Sequence, residues 1–109
     1  FHNKFGDTLI FGLNTSKKYA FINRQKSGKV NFSDKFANNI SITENINLKQ
    51  SLKVRVVLDK TSIEVFYNEG ETVMTEIFFT NQPFEVFSVL TNNESLMLRN
   101  LKIEELQLN

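Results

Sequence analysis

The sequence predicts an all-β domain, a two-sheet antiparallel β-sandwich, on three observations. Leu52 to Phe79 (LKVRVVLDKTSIEVFYNEGETVMTEIFF) alternates apolar and polar residues with period two, broken by short polar turns. Turn signals recur along the whole chain at roughly ten-residue spacing and separate about eight to ten short strands. No stretch carries a convincing helical period. At 109 residues the chain is long enough for one domain around one core.

The central stretch is the best defined. Leu52, Val54, Val56 and Leu58 fall on one face of a strand, predicted to be buried, with Lys53 and Arg55 on the other. Asp59-Lys60-Thr61 is a tight connection. Ser62–Asn68 resumes with Ile63, Val65 and Tyr67 on one face and Glu64 and Phe66 on the other. Asn68-Glu69-Gly70-Glu71 reads as a hairpin turn, because Gly70 reaches positive φ without a Cβ penalty. Thr72–Thr80 is the return strand, rich in β-branched and aromatic residues.

The flanks are less regular. Phe1–Phe5 has no polar lead-in, Gly6-Asp7 reads as a turn and Thr8–Leu13 as a short apolar strand. Asn14–Lys18 is a polar hairpin loop, and Lys18–Arg24 alternates Tyr19, Phe21 and Asn23 against Ala20 and Ile22. Gln25–Lys29 is a turn containing Gly28. Phe32 and Phe36 are expected to pin the loop that follows onto the core. Ala37–Gln50 carries only Ile40, Ile42, Ile46 and Leu48 as apolar anchors, as short edge strands or a connection would. Pro83 cannot donate a ladder hydrogen bond and belongs in a loop or at a strand start. Phe84–Leu90 is the next strand, and Ser95–Asn100 with Leu101–Leu108 closes the chain; Leu101, Ile103, Leu106 and Leu108 are also spaced for a short helix, but Lys102 and Glu104 alternating with Leu101 and Ile103 favour a strand.

Composition narrows the function classes. There is no cysteine, so no disulfide framework. The net charge of +1 is spread without a basic stripe, which argues against nucleic acid. No apolar run approaches the roughly 18 residues of a membrane span. Eleven phenylalanines suit core filling, and the absence of tryptophan removes the commonest sugar-stacking platform. His2 is the sole histidine, too isolated for a triad or a metal site, and no Cys/His or acidic cluster has ligand spacing. No catalytic residue, metal site or cofactor is expected. Asn-x-Ser/Thr triplets occur, among them those starting at Asn14, Asn39 and Asn93, and in a chain this rich in Asn they decide nothing.

Leu58 to Gly70 (LDKTSIEVFYNEG), followed by Val73-Met74-Thr75 and Ile77-Phe78, resembles the signature of the C-terminal β-sandwich domain of glycoside hydrolase family 32, which includes levanases, inulinases and invertases. Thr61 stands where that family often has Ser, and Tyr67 where it usually has Val or Ile. Tyr19 to Ala37 (YAFINRQKSGKVNFSDKFA) is similar to an upstream segment of the same domain, with Asn23 replacing an Asp before Arg24. The resemblance implies a jelly-roll, lectin-like (concanavalin-like) sandwich over residues 1–109, lacking its first strands and the catalytic propeller before it. It implies a non-catalytic module of a β-fructosidase that packs on a five-bladed β-propeller, its partner. It also implies an extracellular, periplasmic or cell-surface location in a bacterium. The acidic motifs of that family's propeller, N-D-P-N-G, R-D-P and E-C, do not occur here.

Arg24 and Glu64 both lie in the matching segments. Their first reading is an ion pair that fixes strand order. The alternative is a fructan-binding site of Arg24, Glu64 and Tyr67, since guanidinium donors and a carboxylate acceptor suit vicinal hydroxyls. Tyr67 and Tyr19 are the only rings with a polar tip.

Overall fold

The computed structural model describes residues 1–30, 40–47, 52–91 and 101–102. Six strands form two three-stranded antiparallel sheets. β1 (Ile10–Asn14), β2 (Tyr19–Asn23) and β3 (Ser41–Ile42) make the first, in that order. β4 (Val54–Leu58), β5 (Ser62–Tyr67) and β6 (Thr72–Ile77) make the second. The sheets bury one shared core: Leu9, Ala20, Ile22 and Ile46 from the first side meet Ile63, Val65, Tyr67, Met74 and Phe78 from the second. This is an all-β sandwich, as expected, and each sheet is a plain meander within the described residues. Among these residues the only helical element is a 3-10 turn, Asn68–Gly70.

β5 explains why the second sheet forms. Its burial alternates strictly, with Ile63, Val65 and Tyr67 inside and Ser62, Glu64 and Phe66 half-buried outside. Burying each large apolar side chain contributes about 1.5–3 kcal/mol. The Asp59–Thr61 turn is closed by Asp59 N–H donating to Ser62 O at 2.8 Å and sets Leu58 opposite Ile63. The second turn holds Asn68, Glu69 and Gly70 at φ of 52°, 62° and 94°, which Asn and Gly tolerate well. It sets Tyr67 opposite Thr72.

Four expectations need correction. Val54 shares parity with Val56 and Leu58 but is 44% exposed, because it lies at the outer end of a strand with one described neighbour; Leu52, Val56 and Leu58 do pack on the core. The return strand ends at Ile77 rather than Thr80. Beyond it Phe78 N–H still meets Thr61 O at 3.0 Å in the same register, and then Phe79 O accepts from Lys29 N–H at 2.7 Å, so the chain leaves the ladder for the segment that follows β2. Phe84–Leu90 forms only an isolated bridge between Val86 and His2. Phe84 and Phe87 both approach the Phe1 ring, at 6.3 and 5.1 Å between centroids, and residues three apart cannot share a face of a regular strand. β1 begins two residues later than read, at Ile10. The anchoring role read for Phe32 and Phe36 and the closing strands of residues 95–108 lie outside the described residues, Leu101 and Lys102 apart.

Candidate functional site

Two polar clusters tie the sheets together. In the first, Arg24 follows β2 and reaches the end of β6. Its Nη1 donates to Ile77 O at 2.8 Å, and its Nε lies 3.4 Å from Glu76 Oε2. Glu76 also accepts a hydrogen bond from Ser41 Oγ of β3. One carboxylate therefore links a guanidinium after β2, a hydroxyl on β3 and strand β6. Beside it, Gly28 sits at φ 138°, and a Cβ there would fall 2.1 Å from Phe79 O. Only glycine allows this backbone approach.

In the second cluster, Asn3 Oδ1 accepts from the backbone N–H groups of Phe5, Gly6 and Asp7 at 3.0–3.1 Å, and its Nδ2 donates to Asp7 Oδ2 and to Gln82 O. Asp7 accepts further from Asn81 N–H at 2.7 Å and Asn81 Nδ2 at 3.0 Å. Burial alone would raise the Asp7 pKa. Hydrogen bonds from Asn3, Asn81 and the Gln82 backbone outweigh that and hold it below its ordinary value. A carboxylate saturated with donors is a structural lock, not an acid–base group.

The residues read as a sugar site are not brought together. Tyr67 is 1% exposed in the core, its Oη has no hydrogen-bond partner among the described residues, and burial pushes its phenol up to about 12. Glu64 lies on the opposite face of the same strand, and directly opposed residues of an antiparallel pair share a face. Glu76 opposes Ile63 and so points to the core side, whereas Glu64 opposes Thr75 on the outside. That is why Arg24 takes Glu76 as its carboxylate and not Glu64. Glu76 carried no sequence signal beyond its parity in Thr72–Ile77.

Glu64 belongs instead to the outer face of the second sheet, with Arg55, Val57, Phe66, Val73, Thr75 and Ile77. The Arg55 guanidinium stands 5.8 Å over the Phe66 ring, within cation–π range. A solvent-open cleft of about 450 Å³ is lined there by Lys53, Val54, Arg55, Phe66, Glu69 and Gly70. At its rim Lys53 Nζ and Glu69 Oε1 pair at 2.7 Å, which raises the Lys53 pKa and lowers that of Glu69. The signal for this grouping was available: the Asp59–Thr61 turn fixes Arg55 opposite Phe66 and Val57 opposite Glu64. His2, also weighed above, bridges Thr8 and Val86 through its backbone, and its Nε2 lies 3.3 Å from Ser88 Oγ. Among the described residues no group of three His, Cys, Asp or Glu could hold a metal ion. Among them, too, no helix is long and apolar enough to cross a membrane.

These features define a β-sandwich domain in which Asp7, Arg24 and Glu76 are bound into contacts between the two sheets. The chain belongs to the glycosyl hydrolases family 32 C-terminal family, which it matches over residues 2–105. It is 27% identical over 105 residues to a levanase of Bacillus sp. strain L7, covering 94% of this chain and 11% of that protein. It is 25% identical over 87 residues to a levanase of Bacillus subtilis strain 168, covering 80% of this chain and 13% of that protein. An extracellular exo-inulinase of Aspergillus niger is 31% identical over 78 residues, covering 71% of this chain and 14% of that protein. The chain thus spans between 11% and 14% of these relatives' lengths. No solved structure matches it significantly.

Proposed function

We propose that this chain is the non-catalytic C-terminal sandwich of an extracellular glycosidase that hydrolyses fructans or sucrose, and that it packs on and stabilises a catalytic five-bladed propeller. The observation that carries this is the family match over residues 2–105 to the C-terminal part of enzymes whose relatives are levanases and exo-inulinases. The carboxylates support it. A glycosidase needs two carboxyl groups flanking one bond. Here Asp7 and Glu76 are bound into inter-sheet contacts, and Glu64 faces away from Glu76. The outer face of the first sheet supplies a docking surface: Ile10 and Ile42 are about half or more exposed and flank Phe21, whose ring lies against Gly12.

The test is incubation of the purified chain with levan, inulin and sucrose. The expected result is no released fructose. Release that disappears in Glu64→Gln would overturn the reading. A second reading, fructan binding, is favoured by one observation, the mixed charged and aromatic cleft on the second sheet.

A further inference from the structure

We propose that the outer face of the second sheet is a self-association surface whose occupant is a second copy of this chain. This goes beyond the accessory-domain reading, whose docking surface lies on the first sheet. The register sets Arg55 opposite Phe66 and Val57 opposite Glu64. These four residues form one block of the outer face, with opposite charges on one diagonal and apolar side chains on the other. Such a block is complementary to itself. A two-fold axis lying between the two facing sheets, along the Val57–Phe66 diagonal, exchanges the charged corners. Arg55 of each copy then meets Glu64 of the other, while Phe66 meets Phe66 and Val57 meets Val57. The contact is isologous and closes at two copies.

Both charges are available for this contact. Diagonal neighbours of this kind stand about 7–8 Å apart, and among the described residues neither Arg55 nor Glu64 forms a hydrogen bond or an ion pair. Within β4, β5 and β6 they are the only charged residues on the outer face, and Lys53 at its rim is already paired with Glu69. The remaining surface is unusually apolar for the outer side of an antiparallel sheet, which ordinarily turns polar residues to water. Val73, directly across from Phe66, is 47% exposed, and Ile77 on the same face is 50% exposed. Sheets stack about 10 Å apart, a gap that side chains of this size fill from both sides. Three strands spaced about 4.8 Å apart make a small face beside a standard interface, so the dimer is weak and concentration-dependent. The block is also preorganised. Ile63, Val65 and Tyr67 anchor β5 from its inner face, which leaves little ordering to oppose association.

Sedimentation equilibrium of the whole chain over a range of concentrations tests this. The wild type should pass from monomer to dimer as concentration rises. Arg55→Glu and Glu64→Arg each set like charges against one another across the interface and should weaken association about tenfold or more, with unchanged unfolding midpoints. Combining the two exchanges the signs on the diagonal and should restore the dimer. Glu44→Lys, exposed and off this face, should leave association as it is. A monomer at every concentration up to about 1 mM would overturn the proposal and leave the accessory-domain reading to its own assay. A dimer indifferent to both single reversals would overturn the choice of face. A double variant as weakly associated as the single ones would overturn the pairing of Arg55 with Glu64 of the second copy.

Discussion

In the second sheet, register runs unbroken through five pairs between β4 and β5 and six between β5 and β6, joined by two tight turns. In the first sheet β1 and β2 share five pairs, but β3 contributes only two. The second sheet is a local structure: each strand is adjacent in sequence to its partner, and its inner face is apolar but for Thr72 and Glu76 on β6. The first draws on distant chain. Thr43 Oγ accepts from Ala20 N–H, Ser41 reaches Glu76, Arg24 reaches Ile77, and Asp7 holds Asn81. The difference teaches that a short, polar edge strand can belong to a sandwich if polar side chains replace the ladder it lacks. It also predicts that the two sheets respond differently to damage.

The largest effect should come from the seam itself. Gly28→Ala places a methyl group 2.1 Å from Phe79 O on a backbone at φ 138°. It should cost about 3–5 kcal/mol, the upper range for one substitution, in urea unfolding. A cost below about 1 kcal/mol would show that the seam yields and that the sheets are not held there. Next, Ile63→Ala, in the fully buried face of β5, should cost about 3 kcal/mol. Ile42→Ala, 63% exposed on the first sheet, should stay within about 0.5 kcal/mol. Equal costs would erase the distinction between the inner and outer faces.

Asp7 comes third. Its folded pKa lies below the ordinary value of 3.8. The stabilisation it provides is therefore complete above that value and is lost as pH falls through the folded pKa. Asp7→Ala should cost about 2 kcal/mol at neutral pH, since it leaves buried donors unpaired, and should flatten the acid limb of the stability profile. An unchanged acid limb would remove Asp7 from the lock. The smallest change is a gain. Tyr67→Phe deletes a buried hydroxyl with no partner among the described residues and should stabilise by about 1 kcal/mol. The sign at high pH follows from the raised phenol. Its stabilising contribution is present below the unfolded value of 10.0 and is lost as pH rises towards about 12. Wild type should weaken over that window more than Tyr67→Phe, and parallel profiles would contradict the burial.

The same contrast governs what could be read from the sequence. The second sheet was legible because Ile63, Val65 and Tyr67 alternate with Ser62, Glu64 and Phe66, and because both its turns are short. The short edge strand at Ser41–Ile42 was legible in kind, from the sparse isoleucines of an Asn-rich stretch. The seam was not. Pairing Arg24 with Glu76 requires knowing which face of β6 each residue takes, and that is set by a turn one strand away. Glu64 looked equivalent to Glu76 until the register put them on opposite sides. Phe84–Leu90 misled for a related reason: its aromatic content fits a strand, but the N-terminal Phe1 draws Phe84 and Phe87 out of alternation. The surroundings of Glu64 were legible in part, since its neighbours Arg55 and Phe66 follow from the register of the adjacent hairpin.

Native-state amide hydrogen exchange of wild type and Asp7→Ala tests the central contrast most directly. The account predicts that losing the lock strips protection from the amides of β1 and β2 while those of β5 keep most of theirs. A uniform loss across both sheets would contradict it, because the second sheet would then have no stability of its own.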